Sequence, residues 1–352
     1  MPDGHSVSAW NDSDAFHITH PETLQMIVRL GILLLTLALG VPGTATGAHP
    51  GLDEFVAETA PKVGMRPEAL RDLLQRARYQ PAIIDAITRP AESKPWHAYR
   101  ELFVTPTRIA DGVAFWNEHE SLLDSIAGQF QVDPEYVVAI VGIETNYGRN
   151  TGGYRVLDAL ATLGFYYPRR GEFFRRELVE YLRLAQDESL PVEEITGSYA
   201  GAMGIGQFIA SSYRAYAVDF DGDGRRDLWR SLPDALASVA NYLKVHGWQA
   251  GKPTVLVLDE APGAEGLTER PQAESTLAEL KSQGFVFDEG PLQAGDRAGA
   301  FQLAGAEGPE YWIALNNFFV IMRYNRSPLY AMAVTQLADA IRRERAAVVP
   351  ET

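Results

Sequence analysis

Cysteine is absent from this 352-residue sequence. That rules out disulfides, thiolate metal sites and cysteine nucleophiles. It also removes the lipid-carrying cysteine that a bacterial lipoprotein needs. Basic residues are in short supply as well. Lys and Arg number 31 against 46 Asp and Glu, a formal net charge of −15. No broad basic face can be expected, so nucleic acid is excluded as a partner. A local basic cluster could still read an anionic polymer. Long apolar runs are missing too. The one candidate, LGILLLTLAL at 30–39, has ten residues, about half of what a membrane-spanning helix requires. Arg29 precedes it, and Gly43, Thr44, Ala45, Thr46, Gly47 and Ala48 follow. This order of charge, apolar run and small residues is that of a secretory signal; an uncleaved anchor is the competing reading. Met26 lies just ahead of the run, so residues 1–25 read as an upstream extension. Cleavage after 48 would leave 30 basic and 42 acidic residues. The expectation is a soluble protein exported to the periplasm and not a lipoprotein.

What is present suits a globular protein: 46% hydrophobic and 22% charged residues, in a chain long enough for two or three modest domains. Apolar residues recur at helical spacing over 66–77, 109–129, 134–145, 171–186 and 233–245. Asp133-Pro134 and Ser231, with Asp234 three residues on, read as helix starts. From 252 to 322 the pattern shortens. TVLVL (254–258), GFVF (284–287), AFQL (300–303), YWIAL (311–315) and FFVIM (318–322) read as strands, before a last helix over about 329–345. The sequence predicts a mainly α, α+β fold. Its divisions are the signal and extension (1–48), an N-terminal helical domain (49–130), a core (131–251), a small β-containing domain (252–322) and a C-terminal helix (323–352).

Three constellations could carry chemistry. Within PEYVVAIVGIET, Glu144 shares a helical face with Val137, Ile140 and Val141. A carboxylate on an apolar stripe is costly when charged, so its pKa should rise, which suits a general acid. Gly148 would end that helix and open it onto a cleft. The plainer reading is a helix-end glutamate that meets solvent or pairs with Arg149. The second is GSYAGAMGIGQF (197–208), whose glycines let backbone approach a ligand closely or pack helices tightly, with Gln207 offering an amide. Its spacing is not that of a phosphate or dinucleotide loop. The third is DFDGDGRRDLW. Asp219, Asp221, Asp223 and Gly224 stand at positions 1, 3, 5 and 6 of a calcium loop, with Asp227 at 9. Arg230 occupies position 12, where a bidentate glutamate is expected, and Asp234 is the nearest later acid. Calcium and a solvated acidic turn both remain open. Residues of sugar-binding type are scattered around these motifs: Tyr99, Tyr147, Phe173, Tyr242, Tyr324 and Asn325. Arg169 and Arg170 in YPRR form the best anion-reading pair.

With these blocks in view, the sequence resembles the lytic murein transglycosylase B family. The resemblance is carried by KPWHAYRELFV, IVGIETNYGR, LDALATLGFYYPRR, GSYAGAMGIGQF, AVDFDGDGRRDLW, SVANYLKVHGW and RYNRSPLYAMAV, in order from about 55 to 345. It implies a lysozyme-like helical core with an α-domain and a small β-domain lining a groove. Glu144 would match the catalytic glutamate. Tyr99, Arg169, Arg170, Ser198, Gln207, Tyr242, Tyr324 and Asn325 would line the groove. Asp219, Asp221, Asp223, Arg225 (through its carbonyl) and Asp234 would hold Ca2+, although one extra residue between Trp229 and Asp234 departs from the family pattern. The implied substrate is the peptidoglycan glycan strand, and cell-wall synthases are implied partners. The implied reaction opens the bond between N-acetylmuramic acid and N-acetylglucosamine without water and leaves 1,6-anhydro ends. A hydrolysing muramidase with a second acid such as Asp158, or an inactive calcium-dependent peptidoglycan-binding protein, are the alternatives.

Overall fold

The structure, a computed structural model, describes residues 49–88, 94–258, 261, 263–290 and 292–348. The apolar run at 30–39, the expected cleavage region and the upstream extension lie outside the described residues. Helices dominate. In order they are α1 (Leu52–Thr59), α2 (Pro67–Gln75), α3 (Pro81–Ile87), α4 (Trp96–Phe103), α5 (Pro106–Glu118), α6 (Glu120–Phe130), α7 (Pro134–Thr145), α8 (Val156–Tyr166), α9 (Gly171–Asp187), α10 (Ala210–Tyr216) and α11 (Leu232–Val245). Then come α12 (Leu277–Ser282), α13 (Asn316–Tyr324) and α14 (Pro328–Val348). Proline opens α2, α3, α5 and α7 in the first turn, where its missing N–H costs nothing and its fixed φ favours the helix.

The pivot is α7. Tyr136 through Ile143 are all buried, because α5, α6, α11 and α14 surround the helix. The face predicted as a stripe is therefore only part of a helix that is apolar all round, as an internal helix must be. Glu144 is the charged exception at its tip.

Strands are few. β1 (Tyr154–Arg155) and β2 (Thr196–Gly197) form a two-stranded antiparallel pair. β3 (Val255–Val257), β4 (Ser275–Thr276), β5 (Arg297–Ala304) and β6 (Pro309–Ala314) form an antiparallel sheet in the order β3-β6-β5-β4. Alternation along β5 turns Phe301 and Leu303 toward the main helical core and Ala298 to the opposite face, in register with β6. A second apolar core gathers here from Leu258, Leu277, Leu280, Phe285, Phe287, Ile313 and Leu315.

Several expectations need correction. The helix predicted over 109–129 is two helices, broken at His119 (φ −114°, ψ 23°). FFVIM is not a strand but the middle of α13: Phe318, Val320 and Ile321 are buried at helical spacing, and a short apolar run cannot by itself tell a buried helix from a strand. GFVF is reduced to a single β-bridge residue, Val286, outside the four-stranded sheet, and it buries Phe285 and Phe287. Asp133 precedes α7 without capping it. Its carboxylate accepts from Trp248 Nε1 at 2.8 Å and from Gly251 N at 2.9 Å, tying α7 to the segment after α11. Ser231, in contrast, does cap α11, accepting from Asp234 N at 3.3 Å.

Candidate active site

Helix α7 ends at Thr145, earlier than Gly148. Asn146, Tyr147 and Gly148 follow with φ of 50°, 61° and 82°, a left-handed run that turns the chain sharply away. Tyr147 makes this turn rigid. Its ring fills the space that a Cβ on Gly142 would meet at 2.7 Å, and its hydroxyl stands 2.6 Å from where one on Gly112 would lie. Its hydroxyl donates to Arg108 O at 2.6 Å. Tyr147, counted above among residues of sugar-binding type, is thus a buried wedge between α5 and α7. Thr145 completes the anchorage, donating to Ile205 O at 2.8 Å and accepting from Gly148 N at 3.0 Å. Glu144, between these fixed neighbours, is half-buried.

Its partner is Tyr330, whose hydroxyl stands 2.6 Å from Glu144 Oε1. Arg149, the alternative partner, pairs with Asp111 instead. Burial pushes the Tyr330 hydroxyl well above its ordinary value, and the charge of Glu144 adds to that. Tyr330 therefore stays protonated and donates. Tyr324 is raised for the same two reasons and donates to Gly206 O. Tyr242 donates to Arg323 O at 2.6 Å, and its ring lies 4.8 Å from that of Tyr324. Tyr99 is buried at 1% exposure, close enough to bear on Tyr330. Asn325 accepts from Ser327 N at 3.0 Å and sets the turn into α14. Of the expected groove residues on this side, Tyr324 and Tyr99 gather with Tyr330 near Glu144, and Tyr242 packs against Tyr324 as a support.

The glycine-rich segment explains its own composition. Ser198 Oγ accepts from Ala200 N and Ala202 N, and Met203 bridges to Phe208. A Cβ on Gly197 would lie 2.2 Å from Ala202 O, and one on Gly152 2.2 Å from Gly197 O. Close backbone packing is what these glycines permit. Gln207, at φ 52°, donates to Thr151 O at 3.1 Å and Gly204 O at 2.9 Å. Arg169 and Arg170 are exposed at the α8–α9 turn. The Arg170 guanidinium lies over Phe173, 4.3 Å from the ring centre.

Asp158, the acid considered for a hydrolytic reading, is 2% exposed. It accepts from Arg78 N at 2.9 Å and faces Arg155 at 3.8 Å. It is committed to holding α8 against the N-terminal helices.

In the acidic loop, carboxylate oxygens of Asp219, Asp221 and Asp223 come within 4.8 Å of one another. Asp219 accepts from Gly222 N and Gly224 N, and Asp223 from Arg225 N. Gly222 and Gly224 have positive φ, 76° and 86°. These bonds wrap the loop around its carboxylates, which fits a hard, oxygen-preferring cation. Asp234 is placed differently. It is buried, and its two oxygens accept from Phe220 N at 2.8 Å and Asp227 N at 2.9 Å. Asp227 accepts from Trp229 N and Arg230 N.

Tyr330 and Thr145 were not singled out from the sequence. No spacing relates positions 144 and 330, so only their packing reveals the pair.

A buried helix ending in one half-buried carboxylate, met by tyrosines from a distant helix and by a glycine-rich loop, defines a lysozyme-like protein. Residues 47–339 match the Transglycosylase SLT domain, and the chain belongs to that family. It is 40% identical over 304 residues to the membrane-bound lytic murein transglycosylase B of Escherichia coli strain K12, covering 83% of each chain. Soluble lytic transglycosylase SltB1 from Pseudomonas aeruginosa superposes with a TM-score of 0.78 at 46% identity, over 84% of this chain and 100% of that one. The E. coli lytic transglycosylase Slt35, solved in complex with calcium, gives 0.78 at 38% identity, over 86% and 96%.

Proposed function

We propose that this protein is a lytic transglycosylase that opens the β-1,4 bond between N-acetylmuramic acid and N-acetylglucosamine in peptidoglycan, with Glu144 as its catalytic acid and base. The observation that carries the reading is Glu144 itself, half-buried at the tip of an apolar helix and hydrogen-bonded to Tyr330. Protonated Glu144 gives its proton to the glycosidic oxygen as the C1–O bond breaks. The acetamido oxygen of the same sugar supports the electron-poor C1. The Glu144 carboxylate then takes the proton of the C6 hydroxyl, and O6 closes on C1 as a 1,6-anhydro ring. Acid and base are one residue, restored at the end, and no water is consumed. Tyr330 holds the carboxylate in one orientation through both steps. A water-using route needs a second acid, and Asp158 is bound to Arg78 and Arg155.

In this reading Gln207, Ser198, Tyr324 and Asn325 shape the sugar sites around the bond. Arg169 and Arg170 meet anionic groups of the substrate, and Tyr99 and Tyr242 support the walls. Asp219, Asp221 and Asp223, with the Arg225 carbonyl, would hold Ca2+, which neutralises the loop's clustered charge; Asp234 braces the loop through backbone N–H groups. The working division is a helical domain to residue 130, the catalytic core to 251 and the β-containing domain to 322. The final helix then returns to the core and delivers Tyr330. The sequence before residue 49 supports export to the periplasm, where cell-wall synthases are suitable partners. Among the described residues no helix is long and apolar enough to cross a membrane. Mass spectrometry of products from purified glycan strands tests the reaction. Anhydro ends, lighter by one water than reducing ends, are expected; reducing muramic ends as the main product would make the enzyme a hydrolase.

A further inference from the structure

A cleft of about 200 Å³ opens where the β-containing domain meets the helical body. Gln249 and Lys252, from the segment after α11, form one wall. Asp296 and Arg297, from the turn into β5, form the other, and Leu315 and Asn316 at the start of α13 complete the lining. Both walls are held by their own hydrogen bonds. Asn317, fully buried, accepts from Gln249 N at 2.9 Å and donates to Gln249 O at 2.8 Å and Lys252 O at 2.9 Å. On the other wall the Asp296 carboxylate accepts from Gln293 N at 3.0 Å. Asp296 N donates back to Gln293 O at 2.9 Å, and Asp296 O accepts from Leu277 N at 3.1 Å. Walls fixed in advance lose little entropy when a ligand enters.

The charges face each other across the cleft. Lys252 Nζ stands 3.7 Å from Asp296 Oδ2, and the two side chains are 31% and 33% exposed. Ion pairs elsewhere in the fold close to bonding distance, such as Lys281 with Glu289 at 2.7 Å. At 3.7 Å the two groups attract without a hydrogen bond between them. An ammonium has three donors and a carboxylate about four acceptor positions, so a third group can join this pair without breaking it. Arg297 adds a second cation. The lining thus carries two positive groups to one negative, in a chain whose acids outnumber its bases by 46 to 31.

Size and chemistry narrow the occupant. The volume lies below the roughly 300–1,000 Å³ of sites for drug-sized molecules, which suits a single amino acid or a single sugar. A sugar presents an apolar face that stacks on aromatic rings, and among the described residues that line this cleft none is aromatic. An amino acid with both ends free presents a carboxylate and an ammonium on one carbon. Its carboxylate matches Lys252 and Arg297, and its ammonium matches Asp296.

We propose that this cleft is a second binding site, specific for an α-amino-acid zwitterion. The site itself stands apart from the transglycosylase reading. Two sources share the chemistry: a free amino acid, or the free end of a diamino acid in a peptide stem.

Titration calorimetry on the whole protein tests it at millimolar ligand. The probes are D-alanine and meso-diaminopimelate, whose ends are both α-amino acids, against acetate, ethylamine and N-acetylglucosamine. Both amino acids should bind saturably, at least tenfold more tightly than acetate or ethylamine, the scale of one charge-assisted hydrogen bond. Tighter binding of diaminopimelate would assign the stem as the source; equal binding would assign the free amino acid. Lys252→Gln and Asp296→Asn should each weaken binding about tenfold. Asp296→Asn keeps an acceptor for Gln293 N, and an unchanged melting temperature shows that the wall has survived. Absence of saturable binding by either amino acid overturns the site. Acetate binding as tightly as D-alanine overturns the zwitterion, and saturable binding of N-acetylglucosamine in this cleft, lost in Lys252→Gln, does the same. Product ends from glycan strands judge the transglycosylase reading separately.

Discussion

The hydroxyl of Tyr330 lies 2.6 Å from Glu144 Oε1, joining the first turn of α14 to the last turn of α7 across 186 residues of sequence. One consequence concerns catalysis. Tyr330→Phe keeps the ring and removes the hydrogen bond, so kcat should drop by roughly 10- to 150-fold with KM little changed, as expected for losing a bond of about 1.5–3 kcal/mol to a charged group. A hydroxyl donated to a carboxylate favours its ionised form. Without it the protonated acid persists to higher pH, and the alkaline limb of the pH–rate profile should move upward. A profile identical to that of the wild type would show that Tyr330 does not act through Glu144.

Glu144→Gln keeps the shape of the side chain but cannot give up and recover a proton. Turnover should fall by roughly 10²–10⁴, the usual contribution of general acid–base catalysis. The circular dichroism spectrum and melting temperature should be retained, because an amide is no costlier to half-bury than a carboxylate. An active variant would refute the site.

Calcium should raise the melting temperature by mass action on the folded state. Asp221→Ala should abolish that increment, and titration calorimetry should find no saturable binding in the variant. Asp234→Ala should behave differently. It strips the acceptors of the Phe220 and Asp227 N–H groups, so it should lower the melting temperature even in chelator, by about 1–3 kcal/mol of stability.

Two glycine-to-alanine changes should have opposite signs. In Gly142→Ala the new methyl meets the Tyr147 ring at 2.7 Å, so Tyr147 must leave its slot and the α7 turn loosens. We expect about 1–3 kcal/mol of destabilisation and reduced activity. Gly128→Ala, on helix α6 with nothing within 4 Å of the added carbon, should stabilise by about 0.5–1 kcal/mol. Denaturant titration separates the two.

Stability should also depend on His49. Its Nε2 lies 3.0 Å from Leu74 O and its Nδ1 3.0 Å from Tyr166 Oη, which fits a neutral ring donating at one nitrogen and accepting at the other. Burial lowers its pKa below the ordinary 6.5, as it does for His246. The unfolded chain therefore binds protons first as pH falls below about 6.5. Stability should be full above that pH and decline as acidity increases toward the folded-state values. His49→Gln should reduce the slope of melting temperature against pH in that window, with the His246 contribution remaining.

The sequence by itself determined the helical character of the body, the short strands after residue 252 and the identity of the candidate acid. Those features are local: period, proline placement and one carboxylate in an apolar run need no distant partner to be legible. FFVIM shows the limit, since five apolar residues fit a strand or a buried helix equally and only packing chose α13. Asp133 could be read as a cap because it precedes a proline, yet the chain after α11 claimed its carboxylate. Only the tertiary structure decided that Tyr147 is a wedge, that Asp234 braces the acidic loop through Phe220 and Asp227, and that Tyr330 is the partner of Glu144. Each is a contact whose geometry depends on how helices far apart in sequence cross, and neither spacing nor composition encodes a crossing.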